Sequence, residues 1–304
     1  MATPITRDFT VKRPRYGERL IEGALFLSAA AAVFITIAIV FTLLKESAIF
    51  FSRVSVIDFL TDTVWSPLFQ NPRYGIAPLL AGTFLTTLVA LSFAVPVGLV
   101  AAIYLSEFAS PRTRETVKPV LELLAAVPTV IYGYFALTLV TPFLRATILP
   151  DLPTFNMLSA GLVIGILIVP YIASLSEDAM RAVPASLREG SLAMGATRLE
   201  TSMNVVLPAA ISGISGALVL GMSRAVGETM IVAIAGGQQP NFTFDPTESA
   251  ATVTAYIAQV AIGDVAVGTI EYYSIFAAGF ALLAVTLAFN LIAFWLQRRY
   301  REAY

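Results

Sequence analysis

The 304-residue chain has no cysteine and no histidine. The first absence removes disulfides, thiol chemistry and any clue to redox compartment. The second removes the commonest metal ligand and the usual near-neutral proton carrier. Charge is scarce too: 13% of residues are Asp, Glu, Lys or Arg, against roughly 25% in an ordinary soluble domain. The 19 basic and 20 acidic side chains nearly cancel, which leaves no polybasic footprint for nucleic acid. The first 19 residues carry Arg7, Lys12, Arg13, Arg15 and Arg19 but no cleavable-signal pattern. The apolar run behind them is too long for a signal h-region, so a permanent anchor is expected.

Apolar residues are abundant, at 57% of the chain, and mean hydropathy is +0.80. Six charge-free windows stand out: 23–44, 74–106, 123–144, 152–176, 201–223 (extended to about 235) and 272–297. Each is long enough for a helix of about 20 residues across a hydrocarbon core of about 30 Å. Lipid forces backbone groups to be satisfied internally, which favours helices throughout. The second span is expected to start near Leu79, after Pro78. Pro96, Pro128 and Pro170 interrupt apolar runs and are expected to kink them.

Basic residues orient the spans. Fourteen fall in the two terminal segments and in the loops after the second and fourth spans. Lys45, Arg53, Arg73 and Arg145 lie on the other side, and Arg224 lies inside a span. Both termini are therefore expected in the cytoplasm of a multi-pass all-α integral membrane protein. The expected organisation is a tail over 1–19, a first transmembrane helix over 20–44 and an external loop over 45–78. A five-helix core follows over 79–297, with a cytoplasmic loop at 176–207 and an external loop at 236–270, then a tail over 298–304.

The cytoplasmic loop reads as two short helices. Pro184 opens the first and Gly195 is placed to end it near Met194. Thr197 then starts a capping box with Glu200, and the second helix runs to about Val206, before Pro208. Such a helix–Gly–helix serves either as a rigid connector or as a surface on which another protein presses.

In "SRAVGETM", Arg224 and Glu228 interrupt the fifth window. They are four residues apart, so they are expected on one helix face, about 6 Å apart along its axis. A lone charge at mid-membrane costs at least about 2.5–3.5 kcal/mol, so each needs a partner or water. Two roles suit the pair: a mutual ion pair stapling helices, or an anion site in which Arg224 meets the anion bidentately and Glu228 holds or releases it.

Glu189, Gly195 and Leu207-Pro208 stand at spacings that resemble the loop of ABC importer permeases: E-A-A, three residues, G, nine residues, I, one residue, L-P. Here Gly190 and Ser191 replace the two alanines and Val205 the isoleucine. Residues 103–133 and "SRAVGETM" are similar to the permease of the high-affinity phosphate importer, and the "GETM" ending and long first external loop to its C-type subunit. The resemblance implies a six-span type I ABC importer permease (MetI-like) fold in a bacterial inner membrane. It also implies a translocation path at Arg224 and Glu228. In the family the first loop helix docks in a cleft of an ATPase, which would make Glu189 the acidic contact and Gly195 the turn that fixes the helix angle.

The sequence has no G-x-x-x-x-G-K-[ST] and no Gly-Lys pair, so it brings no phosphate-cradling loop of its own. No cofactor is expected on this chain, and ATP with Mg would be used by partner ATPase subunits. The implied partners are two such ATPases, a second, A-type permease and an external phosphate-binding protein. The alternatives are a permease for another oxyanion such as molybdate or sulfate, an ion-coupled secondary transporter, or a channel. The last two need no ATPase dock, and no inverted repeat is visible.

Overall fold

The computed structural model describes residues 16–263 and 265–299. Most of the two expected tails lies outside the described residues. Helices dominate: α1 (Tyr16–Phe51) and α2 (Val56–Thr61) precede α3 (Ala77–Ile103), which runs on into a five-residue π turn, Tyr104–Phe108. Next come α4 (Pro111–Ala126), α5 (Thr129–Thr147) and α6 (Met157–Arg181). The loop helices α7 (Ala185–Ala193) and α8 (Arg198–Ala209) lead into α9 (Ile211–Val226). A short π-helical segment, α10 (Val232–Gly236), then α11 (Val253–Ile262) and α12 (Ile270–Arg299), complete the fold. Among the described residues there is no strand, only an isolated bridge between Trp65 and Tyr74.

Among the described residues, five helices are long and apolar enough to cross a membrane: α1, α3 with its π turn, α5, α6 and α12. The sixth crossing exists only as α8 and α9 taken together, and these are bent by 73°. The expected single span over 201–235 is therefore corrected. It breaks at Ala210, where φ is −88° and ψ 0°, and again at Gly227. With 16 residues, α9 is about 24 Å long and falls short of a 30 Å core on its own.

The third window is corrected as well. Leu123–Ala126 belong to α4, and the span begins at Thr129, because Val127 is extended (ψ 133°) ahead of Pro128. A residue before proline avoids the helical region, so the ring ends one helix and opens the next. Pro96 and Pro170, by contrast, lie inside unbroken helices.

α3 and α6 share the most extensive helix interface. Ala90, Ala94, Ile164, Leu167, Ile168 and Ile172 are fully buried there. The backbones approach so closely that a Cβ on Gly165 would sit 2.9 Å from the Ala90 carbonyl oxygen. Small residues at the contact let dispersion act where lipid supplies no hydrophobic drive. At the end of the bundle away from α7, Phe50, Phe59, Trp65, Tyr74 and Tyr256 pack edge to face. There Arg73 grips Asp62 with two hydrogen bonds of 2.8 and 2.6 Å. At the opposite end Ala102, Met180, Val183, Val206, Ala210 and Ile214 form the floor on which the loop helices rest.

Candidate translocation and coupling sites

Arg224 occupies the last turn of α9 and is exposed. Its guanidinium carbon lies 6.0 Å from the centre of the Tyr171 ring on α6. Among the described residues no carboxylate lies within ion-pairing distance. An exposed cation–π contact is worth about 0.5–1 kcal/mol, less than the insertion cost of the charge. That contact alone therefore does not offset the cost of the charge. The neighbouring Ser223 hydroxyl donates to Asn290 Oδ1 on α12 at 3.2 Å.

The expectation that Arg224 and Glu228 share one helix face is overturned. The helix stops at Val226, and the Gly227 amide closes on the Ser223 carbonyl at 3.2 Å. Glycine is a poor helix former, and Glu228 offers the chain an alternative. Its carboxylate accepts the Ile231 amide at 3.4 Å, three residues on, in the manner of a helix cap. Glu228 is only 4% exposed, and its carbonyl accepts the Thr254 hydroxyl of α11 at 2.8 Å. The two charges are split: Arg224 faces outward and Glu228 is built into the bundle.

Beyond α10 a cleft of about 560 Å³ opens, lined by Ala233, Gly237, Thr154, Gln238, Gln239 and Ser249. Its polar groups are all uncharged. Sequence reasoning missed this cleft, because its walls come from two segments, 153–155 and 233–249, that are 78 or more residues apart.

The loop folds as two helices divided at Gly195, as its caps predict. Gly195 has φ +90°. The Ala196 amide donates to the Ser191 carbonyl at 3.3 Å and the Gly195 amide to Leu192 at 3.0 Å, a Schellman closure. The Thr197–Glu200 capping box is formed in both directions. Ser191 Oγ lies 2.9 Å from Thr201 Oγ1 and ties the two helices together. Glu189 and Gly190 are exposed, and nothing lies within 4 Å of where a Cβ on Gly190 or Gly195 would be. Met194 is 89% exposed, with Leu192 and Leu199 also uncovered beside it. Leu207 is half-buried against the floor, whereas Pro208 is exposed in the last turn of α8. The surface offered outward is an acidic and apolar knob on a rigid corner.

Glu177, to which the sequence analysis gave no role, is a further structural centre. Its side chain is wholly buried at the loop end of α6. It meets Arg114 at 3.2 Å and Lys118 at 2.9 Å from α4, and Arg181 at 3.7 Å from its own helix. Partial burial works against the Lys118 charge. Hydrogen bonds to Asp178 and Glu177 outweigh that effect and hold its pKa above the ordinary lysine value. The available signal was an acid directly ending an apolar run, with three cations in the adjoining loops.

Residues 94–302 match the family of binding-protein-dependent transport system inner membrane components. A probable ABC transporter permease protein, YqgH, of Bacillus subtilis is 34% identical over 93% of this chain and 90% of its own. The phosphate transport system permease protein PstC of Xylella fastidiosa is 34% identical over 96% and 93%. PstC 1 of Mycobacterium tuberculosis is 36% identical over 79% and 76%. Among solved structures, a bacterial ABC transporter involved in alginate import aligns with a TM-score of 0.63 at 18% identity, covering 93% of this chain and 98% of that one. The MetNI methionine ABC transporter aligns with a TM-score of 0.55 at 21% identity, over 75% and 95%. These two establish the fold: the type I importer permease arrangement. With its apolar helices and a profile match over most of its length, the chain belongs to the binding-protein-dependent ABC transporter permeases, multi-pass proteins of the bacterial plasma membrane.

Proposed function

We propose that this permease conducts phosphate as the C-type membrane subunit of an ATP-driven importer. The observation that carries the reading is Arg224: an exposed guanidinium on a membrane helix with no carboxylate partner among the described residues. A planar fork of donors suits a tetrahedral oxyanion. The relatives named as phosphate permeases support the choice of anion. The uncharged cleft beyond α10 suits the outer mouth of such a path, since amides and hydroxyls replace water around an anion without trapping it. In this reading α7 and α8 face the cytoplasm, where Glu189 and the knob beside it dock on one of two ATPase subunits. A second permease completes the path and an external binding protein delivers phosphate. The chain itself binds no cofactor, and ATP with Mg is consumed by the ATPases.

The test is uptake into vesicles that contain the assembled complex and the external binding protein. Labelled phosphate should accumulate only with ATP and should resist competition by excess sulfate or molybdate. Uptake of one of those oxyanions in place of phosphate would assign the permease to that substrate instead.

A further inference from the structure

Arg188 sits in the middle of α7 and engages all three of its guanidinium nitrogens. Nη1 donates to the Val183 carbonyl at 2.6 Å and Nη2 to the Met180 carbonyl at 2.7 Å. Nε and Nη2 also grip the two carboxylate oxygens of Glu107, at 3.3 and 3.1 Å. Glu107 lies 81 residues earlier, in the π turn that ends α3. The pair is largely shielded, with side-chain exposures of 22% and 11%. The same turn is held from its other side. Arg114 of α4 donates to the Leu105 carbonyl at 3.0 and 2.7 Å and to Ser106 at 3.0 Å, and also meets the buried Glu177 of α6.

The contacts form a closed polar belt: α7 to the end of α3, that end to α4, and α4 to α6. Without it α7 would join the rest of the described chain through its two flanking loops, the Ser191–Thr201 bond to α8 and the apolar floor. A forked arginine–carboxylate pair fixes orientation as well as distance.

We propose that Arg188 and Glu107 are positioning residues that make α7 and the end of α3 move as one body. A push on α7 then reaches the α3–α6 core through this tie and not through the flanking links alone. The inference rests on the reading of α7 as the ATPase dock.

The chain's lack of cysteine permits a direct test. Glu107→Cys with Arg188→Cys removes the tie, and a short bifunctional thiol reagent puts a covalent one in its place. The measurement is phosphate imported per ATP hydrolysed by the reconstituted complex. Without the reagent the ratio should fall roughly tenfold or more, the order expected for losing hydrogen bonds between charged groups, while the ATPase stays bound. The reagent should restore it. An unchanged ratio before cross-linking, or inhibition on cross-linking, overturns the proposal: the tie is then dispensable, or the two elements must part. Glu107→Gln, which keeps the shape, should lower the same ratio if the double variant fails to assemble. Glu189→Lys separates the two readings. If it leaves both ATPase co-purification and uptake intact, the docking assignment fails whatever the cysteine pair does.

Discussion

The Thr254 hydroxyl donates to the Glu228 carbonyl over 2.8 Å, joining a helix of the 236–270 connection to the break at Gly227 that ends α9. The same connection reaches α3, where the Val253 amide donates to Thr83 Oγ1 at 3.1 Å. Glu228 is thus tied to α11, and α11 in turn to α3. Thr254→Val should cost about 1 kcal/mol, the usual worth of one such bond. Glu228→Gln should fold, since an amide oxygen still accepts the Ile231 amide, whereas Glu228→Ala loses the cap and about 1 kcal/mol. Thermal midpoints of the purified protein rank these variants. Equal midpoints for Gln and Ala would mean that the cap contributes nothing.

Arg224 has no such structural work, so its removal should leave assembly intact. Arg224→Lys should keep part of the uptake, and Arg224→Ala should lower it by about one to two orders of magnitude through loss of the planar donor fork. Exchanging Arg224 and Glu228 is a poor test of pairing, because it would place a guanidinium at a 4% exposed site. Full uptake by Arg224→Ala, normalised to assembled complex, would remove this residue from the path.

At Gly195, φ of +90° penalises any side chain by about 1–2 kcal/mol. Gly195→Ala should therefore reorient or fray the corner between α7 and α8 while the membrane helices remain inserted. The expected result is normal abundance with reduced uptake, and Gly195→Asn should be milder. Identical uptake by wild type and Gly195→Ala would show that the corner angle is unimportant.

The raised pKa of Lys118 has a definite sign. Stability from a group whose pKa rises on folding is fully present below the unfolded value of about 10.4 and is lost as pH climbs through the folded value. Lys118→Met should cost about 1–2 kcal/mol after allowance for its 23% exposure. That gap should stay constant from pH 7 to 9. Thermal midpoints of the two proteins across this range provide the check, and a gap that closes by pH 9 contradicts the assignment.

Orientation is accessible through the same absence of cysteine. Ser186→Cys, at the start of α7, should resist a membrane-impermeant thiol reagent in intact cells. Phe244→Cys, at a position 65% exposed on the opposite connection, should react. The reverse labelling pattern would invert the topology.

The caps of α7 and α8 were legible because they are local: Pro184, Gly195 and the Thr197–Glu200 box act within a few residues of themselves. The long apolar windows were legible for the same reason. The breaks at Ala210 and Gly227 were not. An absence of charge marks hydrophobic surroundings but says nothing of whether one helix passes through them. Arg224 was identified as a chemically exceptional residue, but its separation from Glu228 depended on Gly227 and on a threonine 26 residues later. The Arg188–Glu107 tie was invisible because its partners stand 81 residues apart, and Glu177, marked only as an acid at the end of an apolar run, draws Lys118 from 59 residues away. Such contacts are properties of the packing rather than of any segment.

The π turn at Tyr104–Phe108 also acts as a phase setting. Each residue advances a helix by about 100°, so the number of residues wound into this turn fixes the compass direction in which Glu107 points. Shortening the turn by one residue would carry the carboxylate about a quarter turn or more around the axis, away from α7, with no change in composition or hydropathy. Residue count in this turn is thus constrained as tightly as residue identity, and an insertion or deletion there is a heavier lesion than most substitutions on the same helix.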